Sequence, residues 1–272
     1  MAVTTDLEAE YNNRARVPEH GTHIARWHRD ARAYRDVASC ELDCPYGPGE
    51  RHRFDLFFPP GGDRGGPVVL FIHGGYWQAL DKSSASHLAR GANERGLTVA
   101  VAGYDLAPTV ALASIVAGIE QASDAIMRRT GRPLVAAGHS AGGHLSACLM
   151  ARSSVAVRPV RASMPISGLF DLRPLVPTSI NAALGLTAAE AERLSPILRQ
   201  PPATGNLVAV VGAAESDEFR RQSREIVACW GKAGLATRLH EVPSAHHFDV
   251  LDGLTDPDGD LVRHLLHLAK TA

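Results

Sequence analysis

The stretch that most constrains this chain is Gly138-His139-Ser140-Ala141-Gly142, which lies between an apolar run, Pro133 to Ala137, and a segment from His144 to Met150 that reads as helix. The pattern G-x-S-x-G between a strand and a helix is a nucleophile elbow, a sharp turn that presents the serine hydroxyl at the end of the strand. Such a turn tolerates only small neighbours, and Gly138, Ala141, Gly142 and Gly143 supply the room. Ser140 is therefore the candidate nucleophile. Alone, the same spacing also describes a glycine-rich turn with a helix-capping serine, so the rest of the chain has to decide.

The rest of the chain supplies a sheet for the elbow to sit on. Ala38 to Cys44 and Arg51 to Phe58 alternate as two antiparallel strands do, with the turn-forming Pro45-Tyr46-Gly47-Pro48-Gly49 between them. Past the Gly61 to Gly66 loop, Pro67 to Ile72 is a continuous apolar run of the kind buried on both faces of a parallel sheet. It ends abruptly at His73-Gly74-Gly75-Tyr76-Trp77. Strand and helix then take turns: Leu97 to Ala102, helix Ala111 to Arg129, Pro133 to Ala137, Ala162 to Ile166, Leu207 to Val211, helix Glu218 to Lys232, Ala236 to Val242, helix Leu261 to Lys270. That rhythm predicts an α/β fold, a doubly wound, mostly parallel sheet with helices on both faces, and places functional residues at the carboxyl ends of the strands.

At 272 residues and 45% hydrophobic content the chain suits one α/β domain over 1–272. Residues 1–37 read as an N-terminal arm with a helix from about Thr22 to Val37. Residues 171–202 break the rhythm with Pro174, Pro177, Gly185, Pro196 and Pro201 and a short helix announced by the capping box Thr187-Ala188-Ala189-Glu190. This stretch is too long for an ordinary connection and is expected to be a small cap inserted over the active edge of the sheet.

Net charge of -1 provides no basic field, so nucleic acid and anionic membrane are not expected as partners and a small-molecule substrate is. Met1 to Glu10 lacks the basic start and apolar core of a signal peptide, and no apolar run is long enough to span a bilayer, so a cytoplasmic protein is expected. Cys40, Cys44, Cys148 and Cys229 fall in strand- or helix-like segments, which suits reduced core thiols. His20, His23 and His28 tempt a metal reading, but no carboxylate stands at a suitable spacing, and no metal is expected.

A serine hydroxyl needs a histidine base, and the histidine needs a carboxylate to fix its tautomer. On a sheet of this kind the acid and the histidine follow the serine, each on the loop after a later strand. The first such loop carries Glu215, Asp217 and Glu218. Asp217, at its far end, is the favoured partner; Glu215 is second, and Glu218 is explained by the start of a helix. The second loop carries His246 and His247, of which His247, followed by Phe248-Asp249, is the favoured base. Gly74, Gly75, Tyr76 and Ala141 are the candidate backbone donors to the oxyanion of a tetrahedral intermediate. Trp77 and His139 are expected to wall the substrate pocket.

His73-Gly74-Gly75-Tyr76-Trp77, Gly138-His139-Ser140-Ala141-Gly142-Gly143 and His247-Phe248-Asp249 resemble the motifs of the α/β-hydrolase kynurenine formamidases, or arylformamidases, and of related bacterial esterases. The likeness extends to Tyr11-Asn12-Asn13-Arg14, to Asp171-Leu172-Arg173-Pro174-Leu175 and to Glu215-Ser216-Asp217-Glu218-Phe219. The resemblance implies an α/β-hydrolase fold, a Ser140, Asp217, His247 triad and cofactor-free cleavage of N-formyl-kynurenine to kynurenine and formate. It also implies a homodimer. Carboxylesterases on small-acyl or aromatic esters share these motifs, so the substrate is the less specific part. A ligand-binding module and an acyl transferase are the remaining alternatives.

Overall fold

Runs that are apolar without alternation take the middle of the sheet, because only there does a strand need both faces dry. In a computed structural model that describes residues 6–63, 65–151 and 159–272, the strands are β1 (Cys40–Pro45), β2 (Arg53–Phe57), β3 (Val68–Ile72), β4 (Val99–Ala102), β5 (Leu134–His139), β6 (Val160–Ile166), β7 (Asn206–Gly212) and β8 (Ala236–Val242). They form one sheet in the order β1-β2-β4-β3-β5-β6-β7-β8. β1 and β2, and β2 and β4, pair antiparallel, and every other neighbouring pair is parallel. Every residue of β3, β4 and β5 is buried. The N-terminal residues 1–5 of the arm and position 64 of the glycine-rich loop lie outside the described residues.

Among the described residues ten helices accompany the sheet: α1 (Leu7–Tyr11), α2 (Asn13–Arg16), α3 (His20–Val37), α4 (Arg90–Glu94), α5 (Leu112–Thr130), α6 (Ala141–Met150), α7 (Asn181–Leu184), α8 (Ala188–Leu194), α9 (Asp217–Lys232) and α10 (Asp260–Thr271). On one face of the sheet the core is built by Leu112, Ile115, Leu145, Phe219, Ile226 and Trp230. On the other face it is built by Trp27, Leu88, Leu261, Leu265 and Leu268. α5 ends where Gly131 takes a φ of 69°, and α8 carries the expected capping box between Thr187 and Glu190.

The chain belongs to the class of open sheets whose strand order reverses in the middle, here at β3, with β4 on one side and β5 on the other. The crevice at that reversal, outside the carboxyl ends of the strands, is where such folds bind ligands. The loop after β3 and the elbow after β5 both open there.

The segment 171–202 is mostly irregular, with α7, α8 and two short 3-10 turns, Arg173–Leu175 and Pro196–Leu198. The N-terminal arm is more firmly attached than its polar sequence suggests. Tyr11 is fully buried, donates its hydroxyl to Glu218 Oε2 at 2.7 Å, and accepts from Gln222 Nε2 at 2.7 Å. Gln222 in turn accepts from the N–H groups of Phe170 and Asp171 at 2.5 and 2.8 Å. One buried polar network thus ties arm, α9 and the start of the 171–202 segment together. The cysteines are free thiols, but Cys229 is exposed on the outer side of α9 rather than in the core. Among the described residues no helix is long and apolar enough to cross a membrane.

Candidate active site

Ser140 sits between β5 and α6 with φ 55° and ψ -114°, a conformation that costs a non-glycine residue on the order of 1–3 kcal/mol and that the surroundings must hold in place. They do so through the Ser140 N–H, which donates to Ile166 O at 2.8 Å, and through close backbone packing. A β-carbon on Gly142 would lie 2.0 Å from Ile72 O, so the first turn of α6 rests directly on the end of β3. Only glycine permits that approach.

His247 follows β8 on a loop and its ring is buried. Its Nδ1–H donates to Glu215 Oε2 at 2.6 Å, which leaves Nε2 as the nitrogen available to a serine hydroxyl. Glu215 is itself held by Ser167 Oγ at 2.5 Å and by the Gly212 N–H at 2.7 Å, both on Oε1. Its side chain is 0% exposed. A carboxylate with both oxygens occupied in this way cannot turn away from the imidazole.

The acid facing His247 is therefore Glu215, and the assignment of Asp217 is corrected. Asp217 is the first residue of α9; its side chain is 84% exposed and pairs with Arg220 one turn along. The physical reason is the helix start. Ser216 caps α9 by accepting the Phe219 N–H, so the loop after β7 ends one residue earlier than the run of acids suggests. A serine ahead of two acids is a recognisable cap and was the signal for it. Glu218 accepts from Tyr11, and Arg221 beside it holds its carboxyl below the usual glutamate range. His246 points elsewhere, with its Nδ1 accepting the Phe248 N–H at 3.1 Å.

Ser140 and His247 open onto one cavity of about 450 Å³, lined also by Gly75, Tyr76, His139 and Phe248. His139 donates its Nε2–H to His247 O at 2.9 Å and packs its ring 4.6 Å from that of His247. Burial, together with the neighbouring His247, keeps His139 far below the usual histidine range and therefore neutral. Gly75 has a φ of 102°, and a β-carbon there would meet Ala79 O at 2.3 Å, so the loop after β3 can follow this path along the cavity only with glycine at this position. Gly74 lies beneath, where an added β-carbon would be 3.2 Å from Ser140 Cβ. Ala141 begins α6 directly after the serine and is fully buried.

Trp77 does not line this cavity. It is wholly buried, edge-on to His144 at 5.1 Å, because its own φ of 58° turns it down into the core. The aromatic wall comes instead from Trp27 on α3, stacked on Phe248 at 5.9 Å. The arm also contributes Tyr11, Asn13, Arg14 and Ile24, and the 171–202 segment contributes Ser179 and Ile180. The sequence marked Tyr11 to Arg14 only through the resemblance and gave the arm no place at the cavity, although Ile24, Trp27, Ala31 and Tyr34 recur at helical spacing in an otherwise polar helix. A second cleft, about 550 Å³ between β8 and α10, lies at the amino ends of β7 and β8 and holds none of these residues.

The carboxylate missing near the arm histidines in sequence is supplied in space: Glu19, His23 and His246 bring potential ligand atoms within 4.8 Å of one another. Arg26 lies beside this group, with Nη2 3.4 Å from His23 Nδ1 and its guanidinium paired to both carboxylate oxygens of Asp252.

A family model described as the alpha/beta hydrolase fold matches residues 69–250, and the chain belongs to that family. Within it the chain groups with the kynurenine formamidases and esterases. It is 31% identical over 258 residues to a kynurenine formamidase of Salmo salar, covering 91% of this chain and 88% of the relative. It is 29% identical to a kynurenine formamidase of Danio rerio, over 90% and 87% of the two chains. Among solved structures, a protein described as a candidate thioesterase from a Silicibacter species superposes with a TM-score of 0.87 at 36% identity, covering 98% of this chain and all of that one. An esterase of Pyrobaculum calidifontis shares the fold, with a TM-score of 0.75 at 17% identity, over 98% and 97% of the two chains. The protein is a hydrolase of this fold.

Proposed function

We propose that the protein is a serine hydrolase that cleaves an aryl formamide such as N-formyl-L-kynurenine to the aryl amine and formate through an acyl-enzyme. The observation that carries this reading is the 2.6 Å bond from His247 to the doubly anchored Glu215, in a cavity shared with Ser140 on a strained elbow. The similarity to kynurenine formamidases over nearly the whole chain supports the choice of acyl group.

In this mechanism His247 Nε2 takes the Ser140 proton as Oγ attacks the formyl carbon. The N–H groups of Gly75, Tyr76 and Ala141 serve the oxyanion, and Glu215 stabilises the imidazolium that forms. As the tetrahedral intermediate collapses, the C–N bond breaks, and His247 passes its proton to the departing amine. Water then attacks the formyl ester with His247 again as base. Formate leaves, and the proton returns to Ser140. No cofactor enters any step.

Carboxylesterase action on small-acyl or aromatic esters is the second reading, supported by isoprenylcysteine methylesterases that are about 30% identical over roughly half of this chain. Comparing kcat/KM for N-formyl-kynurenine with that for phenyl acetate on the purified protein separates the two. Ser140→Ala should lower both by roughly 10⁴ to 10⁶, since the three groups act as a unit. Activity undiminished in that variant would refute the assignment.

A further inference from the structure

The arm carries its histidines without a carboxylate nearby in sequence, and the fold completes the set from two elements. Among the described residues one group of three metal-ligating side chains converges on a shared point: Glu19 at the start of α3, His23 one turn along it, and His246 on the loop after β8, with a potential ligand atom from each inside 4.8 Å. The two imidazoles meet edge-on, their centres 4.9 Å apart. His20 takes no part, since its Nδ1 is bonded to Val17 O at 3.0 Å. The His246 ring is held from behind, where Nδ1 has both a donor and an acceptor at hand, the Phe248 N–H and Asp249 Oδ1, each at 3.1 Å. Its loop therefore supports either tautomer, including the one that frees Nε2 for a metal, and a carboxylate in that place orients a ligating imidazole. The charged groups around the cluster are Glu19, Asp249, Asp252 and Arg26. With three acids to one base, and that base already bonded to both oxygens of Asp252, a divalent cation offsets the local charge rather than adding to it.

We propose that Glu19, His23 and His246 bind a zinc ion that clamps α3 to the loop carrying His247. Two imidazoles and a carboxylate suit zinc, whereas magnesium and calcium prefer oxygen ligands throughout, and three protein ligands leave the fourth tetrahedral position to water. Zinc bonds of about 2.0–2.1 Å set ligand atoms roughly 3.3 Å apart, so the group closes on the ion by about an ångström. Glu19 is exposed and unpartnered among the described residues, and its side chain can supply that movement. The ion reinforces a junction otherwise made by the Arg26–Asp252 pair and by ring packing on Phe248, which has His23 at 6.2 Å and Trp27 at 5.9 Å. None of the three ligands lines the cavity shared by Ser140 and His247, so the ion is structural and the inference stands apart from the proposed reaction.

The test titrates zinc chloride into the full chain, stripped with a chelator and carrying Cys229→Ser so that the exposed thiol does not compete. Calorimetry should show one equivalent bound, and the melting temperature should rise by about 5 °C at a hundredfold excess over Kd, because the ion binds the folded chain. Magnesium chloride should do neither. Partners behind a metal ligand already cost about 10–100-fold in affinity when removed, so His23→Gln and His246→Gln should each weaken binding by about 100-fold or more. Glu19→Gln, a surface change that leaves the core intact, should weaken it about tenfold or more. His240 and His264 form another histidine pair, with ring centres 4.8 Å apart, and His264→Gln should leave the affinity unchanged. Circular dichroism of the metal-free variants checks that each one folds. Absence of stoichiometric zinc binding, an affinity unchanged in both Glu19→Gln and His23→Gln, or a loss in His264→Gln instead would overturn the site.

Discussion

At the scale of single residues, what distinguishes the two acids after β7 is how many groups hold each one. Glu215 accepts from His247, Ser167 and Gly212, whereas Asp217, among the described residues, pairs with Arg220 at the surface. A carboxylate that must fix an imidazole tautomer has to be immobile, and only the first is. Glu215→Gln should therefore cut kcat/KM by roughly 10³ to 10⁴, because the amide can offer His247 an N–H and so favour the wrong tautomer. Asp217→Asn should stay within about twofold of wild type, as surface substitutions generally do. Steady-state kinetics on both variants decide the matter, and the reverse order of effects would return the role to Asp217. The places of Ser140, His247 and the loop after β3 were legible in the sequence because each is tied to the end of a strand that the apolar runs delimit. The acid was not, since three carboxylates within four positions differ only in whether they precede or follow a helix cap, and that is decided by Ser216.

At the scale of elements, the strands and long helices were readable from hydrophobic pattern because burial on both faces leaves little freedom of composition. β8 matches the expected Ala236 to Val242 at both ends, and most other elements shift by a residue or two. The arm was not readable in its role. Tyr11 reaches partners more than 200 positions away, and no local pattern reports such a contact. The elbow shows how tightly elements can depend on one atom. α6 leans on β3 through Gly142, where a β-carbon would lie 2.0 Å from Ile72 O. Backbone cannot yield to that contact as a flexible side chain would. Gly142→Ala should therefore destabilise the protein by at least the 1–3 kcal/mol typical of an overpacked core, and tilt Ser140 away from His247 as it does so. Thermal unfolding together with turnover of phenyl acetate reads both effects. A variant with unchanged melting temperature and full activity would show that α6 and β3 have more slack than this geometry allows.

At the scale of the whole molecule, the buried histidines set how the fold responds to acid. Burial pushes His73, His87 and His144 down to about 4, so each is neutral in the folded protein at neutral pH. His144 illustrates the cause: Nε2 donates to Leu194 O at 2.9 Å, while Nδ1 is buried with no partner and would carry an unpaired charge if protonated. In the unfolded chain the same imidazoles take up protons near their ordinary value of about 6.5. The unfolded state therefore binds more protons below that value, and stability must fall as the pH falls. The contribution is complete above about pH 6.5 and is lost progressively toward about pH 4. Carboxylates held low by their partners, such as Glu218 beside Arg221, act in the same direction but only near and below their unfolded values of about 4. Between about pH 7 and pH 5 the histidines act nearly alone, each on the order of 2 kcal/mol if its depression is fully expressed. Urea midpoints should accordingly drop between those two pH values. His144→Gln, whose amide can still donate to Leu194 O, should flatten the dependence by one histidine's share. A midpoint constant from pH 7 to pH 5 would mean that these imidazoles take up protons in the folded protein as readily as in water, which burial of all three does not permit.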